Sequence, residues 1–313
     1  MNKRDAMMSL IDNSRKQDYV PAAFFMHFDP SCHRGQPAID KHLEFFRATG
    51  MDFVKIQYEQ TLTAWPPIQK LEDWTHISSC SDEYFASTIQ VVKGLVNAAK
   101  ADALVIMTVY SPFMWAAHLA TAENLITHFQ EKPEAVKKGL EILAENVLTL
   151  VRACQRVGVD GFYVSSQGGE AFRFKGTDIF QKYIKPTDLA VWAEIQSGPF
   201  NILHVCDYNG GYDDLTPFLD YPGQIVSCSQ KVGNQTLSSK QVSELFRRPF
   251  MGGLERKGTI ATGSLEAIRK TVMDVLADAP EWFVLAADCT VPSETPWEHL
   301  KAAIDLAHHY QRK

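Results

Sequence analysis

The chain of 313 residues lacks the features that mark membrane and nucleic-acid-binding proteins. It has no run of about 18 apolar residues, which a membrane-spanning helix needs. The segment 1–21 is polar and lacks the apolar centre of a secretory signal. The 31 basic residues are outnumbered by 37 acidic ones, giving a net charge of -6, and no lysine or arginine run forms a basic patch. These absences predict a soluble, cytoplasmic protein whose partner is a small molecule or another protein, not nucleic acid or a membrane.

Several common catalytic signatures are missing as well. The sequence contains no Gly-x-Gly-x-x-Gly, His-Glu-x-x-His or Cys-x-x-Cys. Segment 253–259 faintly resembles a phosphate-binding loop but lacks the lysine after the second glycine, so a turn between strand and helix explains it better. The six cysteines are widely scattered, unlike those of a disulfide scaffold. Each is therefore predicted to be a core residue, a reactive thiol or a metal ligand.

The composition, 45% hydrophobic and 22% charged, is that of an ordinary globular protein with a sizeable core. Short β-branched runs predict strands at 20–26, 53–58, 103–109, 161–165, 200–205, 223–229, 248–253 and 282–287. Longer amphipathic patterns predict helices at 38–50, 82–100, 133–158, 187–196, 238–248, 264–279 and 295–310. The repeated β-then-α order predicts an α/β protein with one domain over residues 1–313, a (β/α)8 TIM barrel.

A pair of soft ligands lies at the end of the fifth predicted strand. Side chains two residues apart in a strand share a face, so His204 and Cys206 are predicted to project together. Zinc needs a third ligand, and Cys289, at the end of the last strand, is a candidate, with Cys228 as a rival. His204, Cys206 and Cys289 would leave the fourth position of a tetrahedral zinc ion open, as catalytic zinc sites do. The alternative is a buried histidine bonded to backbone beside an inert core thiol.

Active sites of such barrels lie at the carboxyl ends of the strands. Two irregular segments, 60–80 and 166–178, follow the second and fourth predicted strands and are expected to cover that face. Tyr110 and Tyr163 end the third and fourth strands and are predicted to line the pocket, with ordinary core tyrosines as the alternative.

Segments along nearly the whole chain resemble the uroporphyrinogen decarboxylase superfamily, whose fold is a distorted (β/α)8 barrel. The similar segments are 42–59, 105–119, 158–169, 202–207, 250–260 and 284–307. Within the superfamily, methylcobamide:coenzyme M methyltransferases carry a His-x-Cys motif and a distant cysteine that bind zinc. His204, Cys206 and Cys289 match that motif. The next residue is Asp207, where the family usually has glycine, and this places the substrate pocket in question.

The decarboxylase branch is marked by other residues. An arginine-rich segment near its N-terminus grips the carboxylates of the porphyrinogen, whereas residues 24–35 of this chain contain only Arg34. Where the decarboxylases keep a catalytic aspartate, this sequence reads Gln57-Tyr58-Glu59. The resemblance therefore implies methyl transfer, with a carboxy-lyase acting on a porphyrinogen or a smaller acid as the alternative. A non-catalytic barrel that binds zinc to hold a thiol or corrinoid partner is a further alternative.

The implied reaction moves a methyl group from protein-bound methylcobalamin to a small-molecule thiol held on Zn²⁺. Since the predicted barrel occupies all 313 residues, the methylcorrinoid is expected in trans, on a separate corrinoid protein. Glu59 is the predicted fourth, displaceable zinc ligand, or else a carboxylate near the ligands. Asp207 is predicted to orient His204 or bind substrate. His27 and Asp29 end the first strand and are expected near Cys289.

Overall fold

The computed structural model describes residues 2–12, 19–59, 62 and 64–311, and its core is a parallel sheet. The strands are β1 Phe53–Ile56, β2 Leu104–Tyr110, β3 Gly161–Ser166, β4 Ile202–Val205, β5 Ile225–Cys228, β6 Lys231–Val232, β7 Gln235–Thr236, β8 Phe250–Leu254 and β9 Phe283–Ala287. Seven of them pair in the order β1-β2-β3-β4-β5-β8-β9, all parallel, while β6 and β7 form a small antiparallel hairpin. The seven are almost entirely buried, as helix-covered parallel strands are.

Helices follow the strands and cover the sheet. They are α1 Lys3–Ile11, α2 Gly35–Thr49, α3 Ala86–Ala99, α4 Pro112–Leu119, α5 Ala122–Glu131, α6 Pro133–Arg156, α7 Lys185–Ile195, α8 Ser239–Phe246, α9 Thr259–Thr262, α10 Leu265–Ala277 and α11 Trp297–His309. All seven predicted helices are confirmed, with ends shifted by a few residues. Helices α1, α4, α5 and the single-turn α9 were not predicted from the pattern. Helix α4 is buried around most of its circumference, so it has no amphipathic stripe. No described helix is long and apolar enough to cross a bilayer.

The predicted first strand, 20–26, is the part of the fold that differs from the prediction. This segment lies between β9 and β1, but it contributes only an isolated bridge between Ala22 and Leu285. Pro21 has no N–H to donate, and the Ala22 N–H donates to the Asp52 carboxylate at 2.7 Å instead of to a strand. The fold is therefore TIM-barrel-like, with a seven-stranded sheet that no regular eighth strand closes in the described residues.

The amino ends of the strands are held by buried carboxylates. Asp52, which immediately precedes β1, accepts hydrogen bonds from the Tyr19 hydroxyl at 2.9 Å and the His308 imidazole at 2.8 Å. Asp160, which immediately precedes β3, forms an ion pair with Arg4 at 2.7 Å. Both carboxylates are almost fully buried, so these contacts join α1, α11 and residue 19 to the base of the sheet.

Aromatic side chains fill the inside of the curved sheet below the carboxyl ends. The Phe53 ring lies 5.8 Å from that of Phe25 and 5.2 Å from that of Phe200. Tyr163 lies 5.6 Å from Phe25, on the side of this cluster toward the strand ends. The apolar cluster forms the floor above which the polar residues of the site gather.

Candidate metal centre

Three side chains from two strand ends converge on one point. His204 lies in β4, Cys206 follows that strand, and Cys289 lies two residues after β9. One ligand atom from each lies within 4.8 Å of the other two, and all three residues are buried. Tetrahedral zinc ligands lie about 4 Å apart, so a small inward movement brings these atoms to ligating positions. This is the only such group of three or more among the residues that the structure describes.

The imidazole of His204 has the arrangement of a metal ligand. Its Nδ1 lies 3.3 Å from the Ser227 carbonyl oxygen, which can only accept, so Nδ1 carries the proton. The lone pair is therefore on Nε2, which is buried and has no hydrogen-bond partner. An unpaired buried nitrogen is costly unless a ligand uses it. The tautomer fixed by a backbone carbonyl is the one that metal-binding histidines adopt.

The two cysteines form a polarised pair. Hydrogen bonding with the Cys289 thiol lowers the pKa of Cys206 well below the ordinary cysteine value, despite the opposing effect of burial. The same interaction, together with burial, raises the pKa of Cys289 well above that value. The pair therefore holds one proton between two sulfurs. A divalent cation that replaces this proton is bound by two thiolates and a neutral imidazole, a donor set suited to zinc.

Cys228, the rival ligand, does not join this group. It ends β5, beside Val205 of β4, and is fully buried. Burial raises its pKa above the ordinary value. It is thus an inert core thiol, the character that the sequence offered as the alternative for Cys206.

The three residues line a cavity of about 570 Å³ at the carboxyl ends of the strands. This volume falls in the range of small-molecule sites. The strand residues and strand-end residues lining it are Lys55, Gln57, Thr108, Tyr110, Tyr163, Ser165, His204, Cys206 and Cys289. Segment 166–178 contributes Gln167, Phe172 and Arg173, as expected, and α4 contributes Met114 and His118. The described residues of 60–80 do not line it.

Lys55 is a cavity residue that sequence reasoning missed. Its ammonium group lies 4.5 Å from the centre of the Phe25 ring and 4.6 Å from that of Tyr163, and it donates to the Gln57 side chain. Burial lowers its pKa to about 7, although the charges of Cys289, Glu59 and Cys206 oppose that shift. The available signal was a lysine inside the fully buried strand sequence Phe-Val-Lys-Ile, because lysine is rarely buried without a purpose.

Arg173 is a second cation in the cavity wall, also not predicted. Its Nε lies 2.9 Å from the Glu170 carboxylate, and both side chains are almost completely buried. The Nη1 of Arg173 is buried with no hydrogen-bond partner. Burial raises the pKa of Glu170, against the lowering effect of the Arg173 charge. Among the described residues that line the cavity, Lys55 is the one lysine and Arg173 the one arginine, and there is no aspartate or glutamate.

Both predicted tyrosines lie in the cavity wall. The Tyr163 ring packs 5.0 Å from the His204 ring at 31°, and burial raises the tyrosine's pKa well above its ordinary value. The Tyr110 ring lies 4.5 Å from that of Tyr58. Burial likewise raises the pKa of Tyr110, so both hydroxyls are protonated at neutral pH.

Glu59 and Asp207 lie outside the cluster of three. The Glu59 carboxylate lies 2.8 Å from His27 Nδ1 and 3.6 Å from His33 Nε2. His27 lines the same cavity as Cys289, as expected. Asp29 does not, because its carboxylate accepts from the Ser31 N–H at 2.9 Å on the exposed surface.

Asp207 belongs to a separate charged group beside the cysteines. Its carboxylate lies 2.6 Å from the Arg256 guanidinium, and that of Asp288 accepts from the Arg256 backbone N–H at 2.9 Å. The two aspartates are the chain neighbours of Cys206 and Cys289. Arg256 was not predicted as a site residue, and its only signal in the sequence was its place in the faint loop motif 253–259.

A family model described as uroporphyrinogen decarboxylase (URO-D) matches residues 44–310, well over half of the chain. The chain belongs to the uroporphyrinogen decarboxylase family. This confirms the resemblance read from the sequence at the level of the family. No curated protein sequence matches the chain.

Solved structures show the same fold at low sequence identity. A methyltransferase from Methanosarcina mazei is 17% identical, with 97% of this chain and 98% of that chain covered and a TM-score of 0.79. A vitamin-B12-independent methionine synthase structure from Listeria monocytogenes is 12% identical, with 94% and 96% covered and a TM-score of 0.53. One from Shewanella sp. W3-18-1 is 13% identical, with 93% and 94% covered and a TM-score of 0.52.

Proposed function

We propose that this member of the uroporphyrinogen decarboxylase family is a zinc-dependent methyltransferase that moves a methyl group from a protein-bound methylcorrinoid to a small-molecule thiol. The observation that carries the proposal is the convergence of His204, Cys206 and Cys289, with the buried Nε2 of His204 unpaired. The fold shared with the Methanosarcina mazei methyltransferase supports it.

The donor set fits zinc, and its residues have distinct tasks. A Zn²⁺ ion held by these three residues would supply the Lewis acidity that lowers the pKa of an acceptor thiol. His204 is oriented by the Ser227 carbonyl, and its ring is held by Tyr163. Cys206 and Cys289 give up their shared proton when they ligate. The ammonium group of Lys55 lies in the same cavity and offsets the negative charge that three sulfurs bring together.

The size of the cavity suits direct transfer of the methyl group from the donor to a small thiol. A methylcorrinoid would supply the methyl group to the acceptor sulfur, and its cobalt would keep the electron pair of the broken carbon–cobalt bond. A cavity of about 570 Å³ suits a small thiol, and we expect the methylcorrinoid to approach through its mouth on a separate protein. Glu59 contacts the cavity residue His27, and Asp207 contacts Arg256 beside the cysteines, so we assign both carboxylates a positioning role.

Decarboxylation of a porphyrinogen is the alternative within the family. Eight carboxylates need several fixed cations, and arginine serves best because its guanidinium binds a carboxylate at two points. Lys55 and Arg173 are the lysine and arginine of the described cavity wall, and Arg173 already faces Glu170. This wall favours a smaller substrate.

The test compares wild-type protein with Cys289→Ser and Cys228→Ser, the second being a matched control for a buried strand-end cysteine. Wild-type protein purified without added metal should hold near-stoichiometric zinc and methylate at least one member of a thiol panel from methylcobalamin. Cys289→Ser should lose both properties, with zinc affinity falling more than about a hundredfold because a direct ligand is lost. Cys228→Ser should keep both.

Other results would reject parts of this proposal. Zinc-free wild-type protein, or full zinc retention by Cys289→Ser, contradicts the metal centre. Zinc without any methyl transfer favours the binding barrel. Efficient formation of coproporphyrinogen from uroporphyrinogen would instead establish the decarboxylase.

A further inference from the structure

Arg256 connects the two strand ends that carry the cysteines, although it does not line the cavity. It follows β8, which lies between β5 and β9 in the sheet. Its Nη1 lies 2.6 Å from Asp207 Oδ1 and 3.8 Å from Asp288 Oδ1. Asp207 is the residue after Cys206, and Asp288 is the residue before Cys289. One guanidinium therefore faces both chain neighbours of the cysteine pair.

The Arg256 backbone makes the connection rigid at the β9 side. Its N–H donates to Asp288 Oδ1 at 2.9 Å, and the Asp288 N–H donates to the Leu254 carbonyl at 2.8 Å. These two bonds fix the loop after β8 to the end of β9. The side chain then reaches Asp207 and fixes the end of β4 relative to that pair.

Burial strengthens this connection. The side chains of Arg256, Asp207 and Asp288 are 10%, 15% and 14% exposed, so water competes weakly for their hydrogen bonds. Charge-assisted bonds in such surroundings are stronger and more directional than exposed ones. The Nε of Arg256 is buried and has no hydrogen-bond partner. The side chain therefore keeps its contact with Asp207 although this leaves one of its own N–H donors unsatisfied.

We infer that Arg256 is a positioning residue: through Asp207 and Asp288 it holds Cys206 and Cys289 at the separation that metal ligation requires. The inference rests on the proposed zinc centre. Carboxylates and their partners behind metal ligands commonly set ligand geometry, and their loss costs about 10–100-fold in metal affinity. Here a single arginine would do so for two ligands on strands that are not neighbours in the sheet.

The experiment measures zinc affinity of the purified full-length chain by competition with a chromophoric chelator. Arg256→Gln should bind zinc about 10–100-fold more weakly than wild type. Arg256→Lys keeps the charge without the planar fork and should fall between the two. Arg248→Gln is the matched control, since Arg248 precedes the other end of β8 and its guanidinium donates to the carbonyls of Gly223, Phe246 and Leu219. It should lower thermal stability and leave zinc affinity unchanged.

Two further readouts separate positioning from general stability. The sulfur-to-metal absorption of the Co²⁺-substituted protein should shift in Arg256→Gln and remain unchanged in Arg248→Gln. Asp207→Asn should weaken zinc binding as well, and the double variant should bind about as weakly as Arg256→Gln alone, because both substitutions remove the same contact between Arg256 and Asp207. If Arg256→Gln does not fold, Arg256→Lys and Asp207→Asn provide the same comparison.

The outcomes distinguish the two proposals. Wild-type protein without zinc affinity overturns both. Wild-type protein that binds zinc while Arg256→Gln binds equally well, or additive effects in the double variant, overturns only the role of Arg256.

Discussion

Both ends of the sheet bury polar side chains, but those at the amino end are paired and some of those at the carboxyl end are not. Asp52 and Asp160 stand immediately before strands, and their carboxylates bond to Tyr19, His308, Arg4 and the Val105 N–H in other parts of the fold. At the other end, polar groups of the cavity wall lie without partners, notably His204 Nε2 and Arg173 Nη1. The polar groups at the amino end therefore stabilise the fold, and some of those at the carboxyl end remain available to bind a ligand. This division is the one expected of a barrel enzyme.

The largest effect is expected when the amino end loses a buried carboxylate. Asp160→Ala removes the partner of the half-buried Arg4 and leaves the Val105 N–H, which donates to the carboxylate at 2.9 Å, without an acceptor. We expect the free energy of unfolding in urea to fall by about 3 kcal/mol, from the lost charged hydrogen bonds and the unsatisfied buried N–H. Exposed Asp102→Ala should change it by less than about 0.5 kcal/mol. Zinc affinity should not change in either variant, and a loss of affinity in Asp160→Ala would break the contrast between the two ends.

A satisfied polar group near the carboxyl end should stabilise the fold in a pH-dependent way. His42 Nδ1 donates to the Ala38 carbonyl at 2.7 Å, and Nε2 accepts from the Gln57 N–H at 3.1 Å. Burial lowers the pKa of His42 to about 4. The unfolded chain binds this proton near pH 6.5, so stability falls as the pH drops from about 6.5 to about 4.

The measurement is urea unfolding of wild type and His42→Gln at two pH values. Between about pH 7 and about pH 4.5, wild type should lose about 2–3 kcal/mol more stability than the variant. His309→Gln, which alters an exposed histidine, should follow wild type. Equal losses in wild type and His42→Gln would show that His42 is not buried in its neutral form.

The smallest effect is expected in the cavity and has the opposite sign. Burial lowers the pKa of Lys55 to about 7, so below that pH the fold carries a desolvated charge. In Lys55→Met, the metal-free protein should gain about 2 kcal/mol at about pH 9, because each pH unit below the unfolded pKa of about 10.5 is worth about 1.4 kcal/mol until the folded pKa is reached. The methyl-transfer rate should fall. The gain should disappear as the pH rises toward about 10.5, where lysine is neutral in the unfolded chain too. A less stable Lys55→Met protein would place Lys55 with the structural groups of the amino end.

Local patterns in the sequence predicted the parts of the fold that depend on local physics. Seven strands and seven helices follow from runs and periodicities that survive in the structure, because burial of each element requires them. The segment 20–26 has the composition of a strand, yet its pairing is decided by Asp52, which lies 30 residues away from Ala22. No periodicity within 20–26 records that competition.

The residues of the candidate site divide in the same way, into those that a local pattern or motif predicts and those placed by long-range contacts. His204 and Cys206 share a strand face, and the family motif identifies Cys289, so all three were accessible from the sequence. The partners of Asp207 and Glu59 were not, because Arg256 and His27 reach them only through the placement of other elements. Ion pairs between distant segments produce no recognisable pattern in the sequence, whereas ligands at the end of one strand have a characteristic spacing.

The irregular junction at 20–26 has a consequence for the order in which the protein assembles. Each paired strand of the sheet contacts the next one along the chain, apart from the small hairpin, whereas the junction joins Ala22 to Leu285, and Val20 to Ala307 in α11. Contacts of such sequence separation carry the largest loop-closure entropy and form late in folding. Cys289 lies just beyond β9 at this junction, so we expect the three proposed metal ligands to come together only when the junction forms. A cation bound by all three would then favour the chain with the junction formed, by mass action, and metal supply would affect how much of the chain completes its fold.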